Sequence, residues 1–268
     1  MDDPSQLESE LTAALWTTRL GRPTRVFETL GSTQDEARRQ ARTGASHGAV
    51  VWALEQTDGR GRMQRSWASR RGAGLWFSVV LRPPVDAQAA ALLSLAAGVG
   101  LAAALSGPTA GLARLKWPND VVVGGRKLAG VLAEAETHDG AVAFVILGIG
   151  LNLDPGPDGF PAEIADVAIA LSEVAPTSIA PAMLMATLLA ELESAIDLAV
   201  ADRDRLRRAW LDVSDTIGRD VRAELGGTVV SGRAVDLDVD GALVIDTGGG
   251  ELTSVHSGEV VHLRPDGN

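Results

Sequence analysis

The chain has 268 residues, 46% of them apolar, a formal net charge of −11 and no cysteine. That length supports one large core, or a large core with a small companion domain, and the missing thiols exclude disulfides, thiolate metal sites and a cysteine nucleophile. The acidic total, with no basic helix or long Lys/Arg run, argues against general nucleic-acid binding.

The acidic, polar first ten residues are wrong for a signal peptide. Leu7, Leu11 and Leu15 recur at helical spacing and predict a short amphipathic helix. Residues 24–30 read as a short β-rich stretch, after which Gly31-Ser32-Thr33 opens a polar helix; Thr33 with Glu36 fits a capping box. Residues 49–56 predict a strand running into an arginine-rich loop, and residues 75–82 a second strand stopped by Pro83-Pro84. Residues 87–105 carry no charge and approach the length of a membrane span, yet they are mostly Ala and Gly with Gln88 and Ser94 inside. The expected structure there is a helix buried against a sheet, its small residues allowing close packing, in a soluble cytoplasmic protein without a membrane partner.

Residues 112–116 and 121–123 predict strands flanking a Trp-Pro-Asn-Asp turn, and Gly124-Gly125 marks a two-residue hairpin that returns through residues 127–134. Residues 141–153 form an apolar strand, with Gly148 and Gly150 where side chains would obstruct something. Adjacent hairpins imply an α/β (α+β) domain with a largely antiparallel mixed sheet flanked by helices, not a doubly wound fold. Residues 155–161 are a breaker-rich loop, and residues 179–211 carry a long helical pattern interrupted near Ala201-Asp202. Beyond Val213 the composition changes to short alternating strands separated by Gly-Gly and Asp-Gly turns, most simply a small SH3-like barrel. The predicted domains are therefore residues 1–213 and 214–268.

Several motifs bear on chemistry. Gly44-Ala45-Ser46-His47-Gly48 matches the nucleophile elbow G-x-S-x-G, but it lies between a helix and a following strand, the reverse of the context that elbow needs. Gly59-x-Gly61 lacks the third glycine and the helix of a dinucleotide fingerprint, and there is no P-loop. His47, His138, His256 and His262 show no ligand spacing, so no metal site made by the protein alone is expected. What remains is a cationic island, Gly59-Arg60-Gly61-Arg62-Met63-Gln64-Arg65 with Trp67, Arg70 and Arg71, in which no acidic residue occurs from Gly59 to Arg71. Guanidinium groups interleaved with glycines can wrap a phosphate. Downstream, Lys116-Trp117-Pro118-Asn119-Asp120 and Arg126-Lys127-Leu128-Ala129-Gly130 set two lysines beside a carboxylate, expected on neighbouring strands of one hairpin. Two cations beside a carboxylate at a hairpin base suit an anionic ligand with a bound metal ion.

Taken together, G-R-G-R-x-x-R, K-W-P-N-D, R-K-L-A-G, G-I-G-L-N and the small C-terminal β domain occur in the order and spacing of the biotin–protein ligases, and the chain resembles that family over nearly its whole length. The resemblance implies a core similar to class II aminoacyl-tRNA synthetases and a two-step reaction. Biotin and ATP give biotinyl-5′-AMP and pyrophosphate, and a lysine of a biotin carboxyl carrier protein then takes the biotinyl group, with Mg²⁺ accompanying ATP. It implies that Arg60, Arg62 and Lys127 surround the carboxylate–phosphate junction, with Lys116 and Asp120 in the catalytic set. Ser32, Thr33 and Gln56 would hydrogen-bond the ureido ring, and the backbone at Gly59, Gly130 and Gly148 would line the slot for the rings and valeryl chain. Arg62, Arg65, Trp67, Asn119 and Asn152 would meet the nucleotide side.

The segment before Thr24 is too short for a winged helix-turn-helix, so the resemblance is to the non-repressor class, without a nucleic-acid partner. Departures are Gln34 where the family usually has Asn, Asp58 before the arginine run, and Met63-Gln64 inside it. The arginine loop is expected to be poorly ordered without ligand and to fold over the site with biotinyl-AMP. Rival readings are a lipoate–protein ligase or octanoyltransferase, and a non-catalytic sensor of biotin adenylate.

Overall fold

The protein is described by a computed structural model. Its described residues are 3–82, 89–139, 141–175, 177, 179–225, 228–256 and 258–263. The Pro83-Pro84 stop and the start of the apolar helix at residues 87–88 lie outside them.

The larger sheet is built from β1 (Thr24–Phe27), β2 (Val50–Ala53), β3 (Gly74–Leu81), β4 (Arg114–Lys116), β5 (Asp120–Val123), β6 (Arg126–His138) and β7 (Ala141–Asn152). Their order is β1-β2-β3-β7-β6-β5-β4. Among the described residues only the β1–β2 pairing of this sheet is parallel; the other neighbours are antiparallel, as the run of hairpins predicts. Gly124 and Gly125 both take positive φ in the β5–β6 turn, the backbone a tight two-residue hairpin requires. Lys116 and Lys127 are not on neighbouring strands, however, because β5 runs between β4 and β6.

Both faces of the sheet are covered, which explains why β3 is buried along almost its whole length. On one face lies α2 (Thr33–Arg42), whose Ala37 and Ala41 meet Val51, Val80, Phe144 and Ile146. Asp35 and Glu36 in its first turn, with Arg39 and Arg42 in its last, complement the helix dipole. The predicted capping box does not form. Ser32, not Thr33, stands at the N-cap and its side chain makes no cap bond; instead Gln56 Oε1 accepts from the Thr33 N–H at 2.8 Å.

The other face carries α3 (Ala89–Ser106) against β4, β5 and β6, with α4 (Pro181–Ala201), α5 (Arg203–Asp212) and α1 (Pro4–Ala14) completing the layer. The small residues of α3 do allow a close crossing: a Cβ on Gly100 would lie 2.9 Å from the Glu191 carbonyl of α4. Among the described residues no helix is long and apolar enough to cross a membrane. The break between α4 and α5 falls at Asp202, whose carboxylate accepts from the Arg205 N–H at 2.9 Å.

The remaining strands, β8 (Asp220–Leu225), β9 (Thr228–Leu237), β10 (Leu243–Gly248), β11 (Glu251–Val255) and β12 (Glu259–His262), form an antiparallel sheet in the order β11-β10-β9-β8-β12. It is fastened to the K-W-P-N-D segment. The Trp117 N–H donates to Thr216 Oγ1 at 3.0 Å, and Trp117 Nε1 donates to the Gly241 carbonyl at 3.1 Å.

Candidate active site

A cavity of about 470 Å³ opens on the face of β3, β7, β6 and β5, roofed by the arginine loop. Its floor depends on absent side chains. The Trp67 ring lies on Gly150 and Gly130, so close that a Cβ at these positions would come within 2.6 and 2.9 Å of it. The indole also meets Trp76 edge-on with centroids 6.3 Å apart, and Lys127 Nζ sits 4.9 Å from its ring centre. Trp67 Nε1 is buried without a hydrogen-bond partner among the described residues, which leaves a donor available to whatever enters.

At one end the charged groups gather. Lys127 Nζ lies 2.7 Å from Asp120 Oδ1, and Arg62 Nη1 donates to Asn119 Oδ1 at 3.2 Å. The Asn119 amide donates in turn to the Val131 carbonyl at 2.6 Å, which fixes which of its atoms faces the arginine. Lys127 is itself anchored through its backbone. Its N–H donates to the Val167 carbonyl at 2.7 Å, and the Asn152 amide reaches the Lys127 and Ile169 carbonyls, each at 3.2 Å. Thus Asn152 holds the strand that carries Lys127, while Lys116 and Arg65 also line the cavity.

The opposite end is hydroxyl-rich and largely buried. Ser32, Thr33, Gln34, Ser78 and Gln56 line it, and Ser32 Oγ is buried without a partner among the described residues. Both polar ends of Gln56 are engaged by the protein, Oε1 by the Thr33 N–H and Nε2 by Ser69 Oγ at 2.8 Å. Gly59 lets the loop close on itself here, since a Cβ would lie 2.5 Å from the Trp67 carbonyl.

Arg60 lines the same cavity. Its guanidinium pairs with Asp35 at 2.5 Å and lies 3.7 Å from Glu134, on the α2 side. Burial would raise the Glu134 carboxyl, but the Gln34 amide and the Arg38 guanidinium, with the charge of Arg60, outweigh it and hold the group below its ordinary value.

The sequence also left out Gln34 and Ser78. Gly148, expected to line the ligand slot, does line the cavity, and a Cβ there would be 2.4 Å from Gln34 Oε1. The arginine loop takes a compact form, with Gly61 N–H donating to the Arg65 carbonyl at 2.7 Å and Met63 and Gln64 at φ 54° and 59°. Behind the charged end, His262 Nε2 lies 3.2 Å from Thr216 Oγ1 and its Nδ1 3.6 Å from Asp215. Burial first, then the charges of Lys116 and Arg219, push His262 down to about 4 against the pull of Asp215.

One end of the cavity can thus neutralise anions, the other can hydrogen-bond a small polar head, and the aromatic and glycine floor between them accepts an apolar segment. Residues 26–152 match the Biotin/lipoate A/B protein ligase family and residues 216–263 the Biotin protein ligase C terminal domain. The biotin–[acetyl-CoA-carboxylase] ligase of Mycobacterium tuberculosis is 39% identical over 246 residues, covering 89% of this chain and 88% of that protein. The bifunctional ligase/repressor BirA of Bacillus subtilis is 32% identical, covering 94% and 78%. In structure, the chain is similar to the biotin protein ligase from Aquifex aeolicus in complex with biotin and ATP, at TM-score 0.76 and 28% identity, covering 90% of this chain and 98% of that one.

Proposed function

The chain belongs to the biotin protein ligase family, and we propose how its cavity carries out ATP-dependent biotinylation of a carrier protein. The observation that carries this reading is the placement of Lys127, Asp120, Arg62 and Asn119 at one end of a cavity whose other end holds the buried hydroxyls of Ser32, Thr33 and Ser78.

In the first step an oxygen of the biotin carboxylate attacks the α-phosphorus of ATP, a P–O bond forms, and the bond to pyrophosphate breaks. Two anions approach only where cations offset their repulsion, and Lys127, Arg62, Lys116 and Arg65 are among the cations that line the cavity. Arg60 joins them by leaving Asp35. In the second step the neutral amine of the carrier lysine attacks the acyl carbonyl of biotinyl-5′-AMP; an amide forms, AMP departs and the amine loses a proton. No covalent intermediate with the enzyme is required, in keeping with a chain that has no cysteine. Asp120 or the departing phosphate takes that proton.

Among the described residues no three acidic or histidine side chains cluster as a metal cage. Asp120 and Asn119 nonetheless supply oxygen donors of the kind Mg²⁺ accepts when it arrives with nucleotide phosphates and water. Bound there, Mg²⁺ would offset phosphate charge. Ser32 and Thr33 serve the ureido ring, with Gln56 holding the Thr33 backbone, and Trp67 covers the adenylate as residues 59–71 close over it and exclude water. We further place the enzyme in the cytoplasm, and assign residues 1–213 to catalysis and residues 214–268 to an SH3-like module that steadies Trp117.

The test is to incubate the purified chain with biotin, Mg-ATP and an apo biotin-carrier domain, and to look for biotin on the carrier lysine by mass spectrometry. Labelling that depends on ATP is expected. No pyrophosphate release and no labelling would overturn the assignment.

A further inference from the structure

Gln34 sits in the hydroxyl-rich end of the cavity at 3% exposure, and its orientation is over-determined. Its Nε2 faces three groups that only accept: Glu134 Oε2 at 2.9 Å, the Ile146 carbonyl at 3.1 Å and the Leu132 carbonyl at 3.4 Å. The amide oxygen must therefore face the other way, where Ser78 Oγ lies 3.1 Å from it. Ser78 is fully buried, and its one proton satisfies Gln34 Oε1, which otherwise stays buried and unpaired. Ser78 Oγ also lies 2.9 Å from Thr33 Oγ1. With the Ser78 proton committed, that contact is a hydrogen bond only if Thr33 donates.

We propose that Gln34, clamped by Glu134 and by the Leu132 and Ile146 carbonyls, acts through Ser78 to fix the Thr33 hydroxyl as an acceptor toward the cavity, so that the site selects ligands presenting an N–H there. Ser32 Oγ, buried without a partner among the described residues, can turn and donate. A fixed acceptor beside a free donor matches a cyclic urea, which offers N–H and C=O side by side. It rejects an isosteric carbamate, whose ring oxygen would face the lone pairs of Thr33. This inference rests on the proposed biotin site and adds the residues that set its hydrogen-bond polarity. Gln34 and Ser78 are positioning residues; Thr33 makes the contact.

The experiment measures, by calorimetry on the full chain, binding of biotin and of the two cyclic carbamates in which one or the other ring N–H is replaced by oxygen. The unaltered protein should bind one of the carbamates about 100-fold more weakly than biotin, the penalty of leaving a buried polar group facing a like group. In Ser78→Ala the Thr33 hydroxyl is released to rotate, and that discrimination should shrink at least about tenfold even where biotin itself binds less well. Gln34→Met makes the same comparison should Ser78→Ala fail to fold. An unchanged ratio in the variants, or less than about tenfold discrimination by the unaltered protein, overturns the polarity assignment while leaving biotin binding intact. Absence of biotin binding altogether overturns the site itself.

Discussion

Replacing Lys127 by Met keeps most of the side chain's volume over Trp67 and removes its charge. Lys127 does two things at once: it presents a cation to the cavity and, at 2.7 Å, it masks the Asp120 carboxylate. The two side chains are 33% and 23% exposed, so an effective dielectric of about 20 is appropriate and a unit charge about 4 Å away is worth about 4 kcal/mol. Solvent screening removes part of this, leaving about 3 kcal/mol of transition-state stabilisation, or roughly 100-fold in the adenylation rate. The assay is single-turnover pyrophosphate release with biotin and Mg-ATP, run beside thermal melts to show that the fold survives. Because part of the loss comes from the unmasked carboxylate, Lys127→Met combined with Asp120→Asn should regain about tenfold over Lys127→Met alone. Turnover within about threefold of the original by Lys127→Met, or a double variant worse than the product of the single losses, would refute this division of labour.

Gly150→Ala places a methyl group 2.6 Å from the Trp67 ring; since that ring belongs to a loop, stability should fall by no more than about 1 kcal/mol while adenylation falls more than about tenfold. Rapid-quench rates and melting curves separate the two effects, and normal turnover would count against Trp67 as part of the site. Gln64→Gly should be tolerated and Gln64→Val should slow adenylation, because Gln64 holds φ 59°, a conformation that β-branched residues avoid; equal rates for both would remove the case for this loop form. Acid should act in two windows. His262 is depressed to about 4 from 6.5, so the unfolded chain binds a proton that the folded chain refuses; its contribution is complete above about pH 6.5 and lost as pH falls to about 4. Glu193 is held at about 2 because the backbone amides of Thr18, Leu20 and Arg19 outweigh its burial, so its contribution is present above about pH 4.5 and lost below. Melting temperature followed from pH 7 to 3 should drop through both, and His262→Gln should flatten the upper one; a flat profile down to pH 5 in the unaltered protein would contradict the His262 reading.

What the sequence made legible was local. Strand and helix periods, the Gly124-Gly125 turn and the break at Asp202 are each determined by residues within a few positions, and the structure has them where the pattern places them. At the charged end of the cavity, Lys116 to Lys127 is one hairpin-rich stretch that folds back on itself, though β5 separates the two lysines that the sequence pattern set on neighbouring strands. The hydroxyl end was legible only in part: Ser32, Thr33 and Gln56 were named for it, while Gln34 and Ser78 were not. Gln34 meets Ser78, Glu134 and Ile146 across sequence separations of 44, 100 and 112 residues, and a buried amide leaves no periodic trace of such partners. For the same reason Thr33 reads as one half of a capping box when its backbone is capped by Gln56, 23 residues away. Gly148 was recognised as a place that a side chain would obstruct, and Gln34 is what a Cβ there would meet. A signal was available: a polar residue departing from the family pattern next to Ser32 and Thr33 asks for a buried partner.

The most direct measurement of the central claim omits the carrier. The chain, mixed with biotin and Mg-ATP alone, should release pyrophosphate and retain close to one equivalent of biotinyl-5′-AMP per molecule, and a later addition of apo carrier domain should discharge it to AMP and biotinylated lysine. Failure to form the bound adenylate, with biotin reaching the carrier by another route or not at all, would contradict the account.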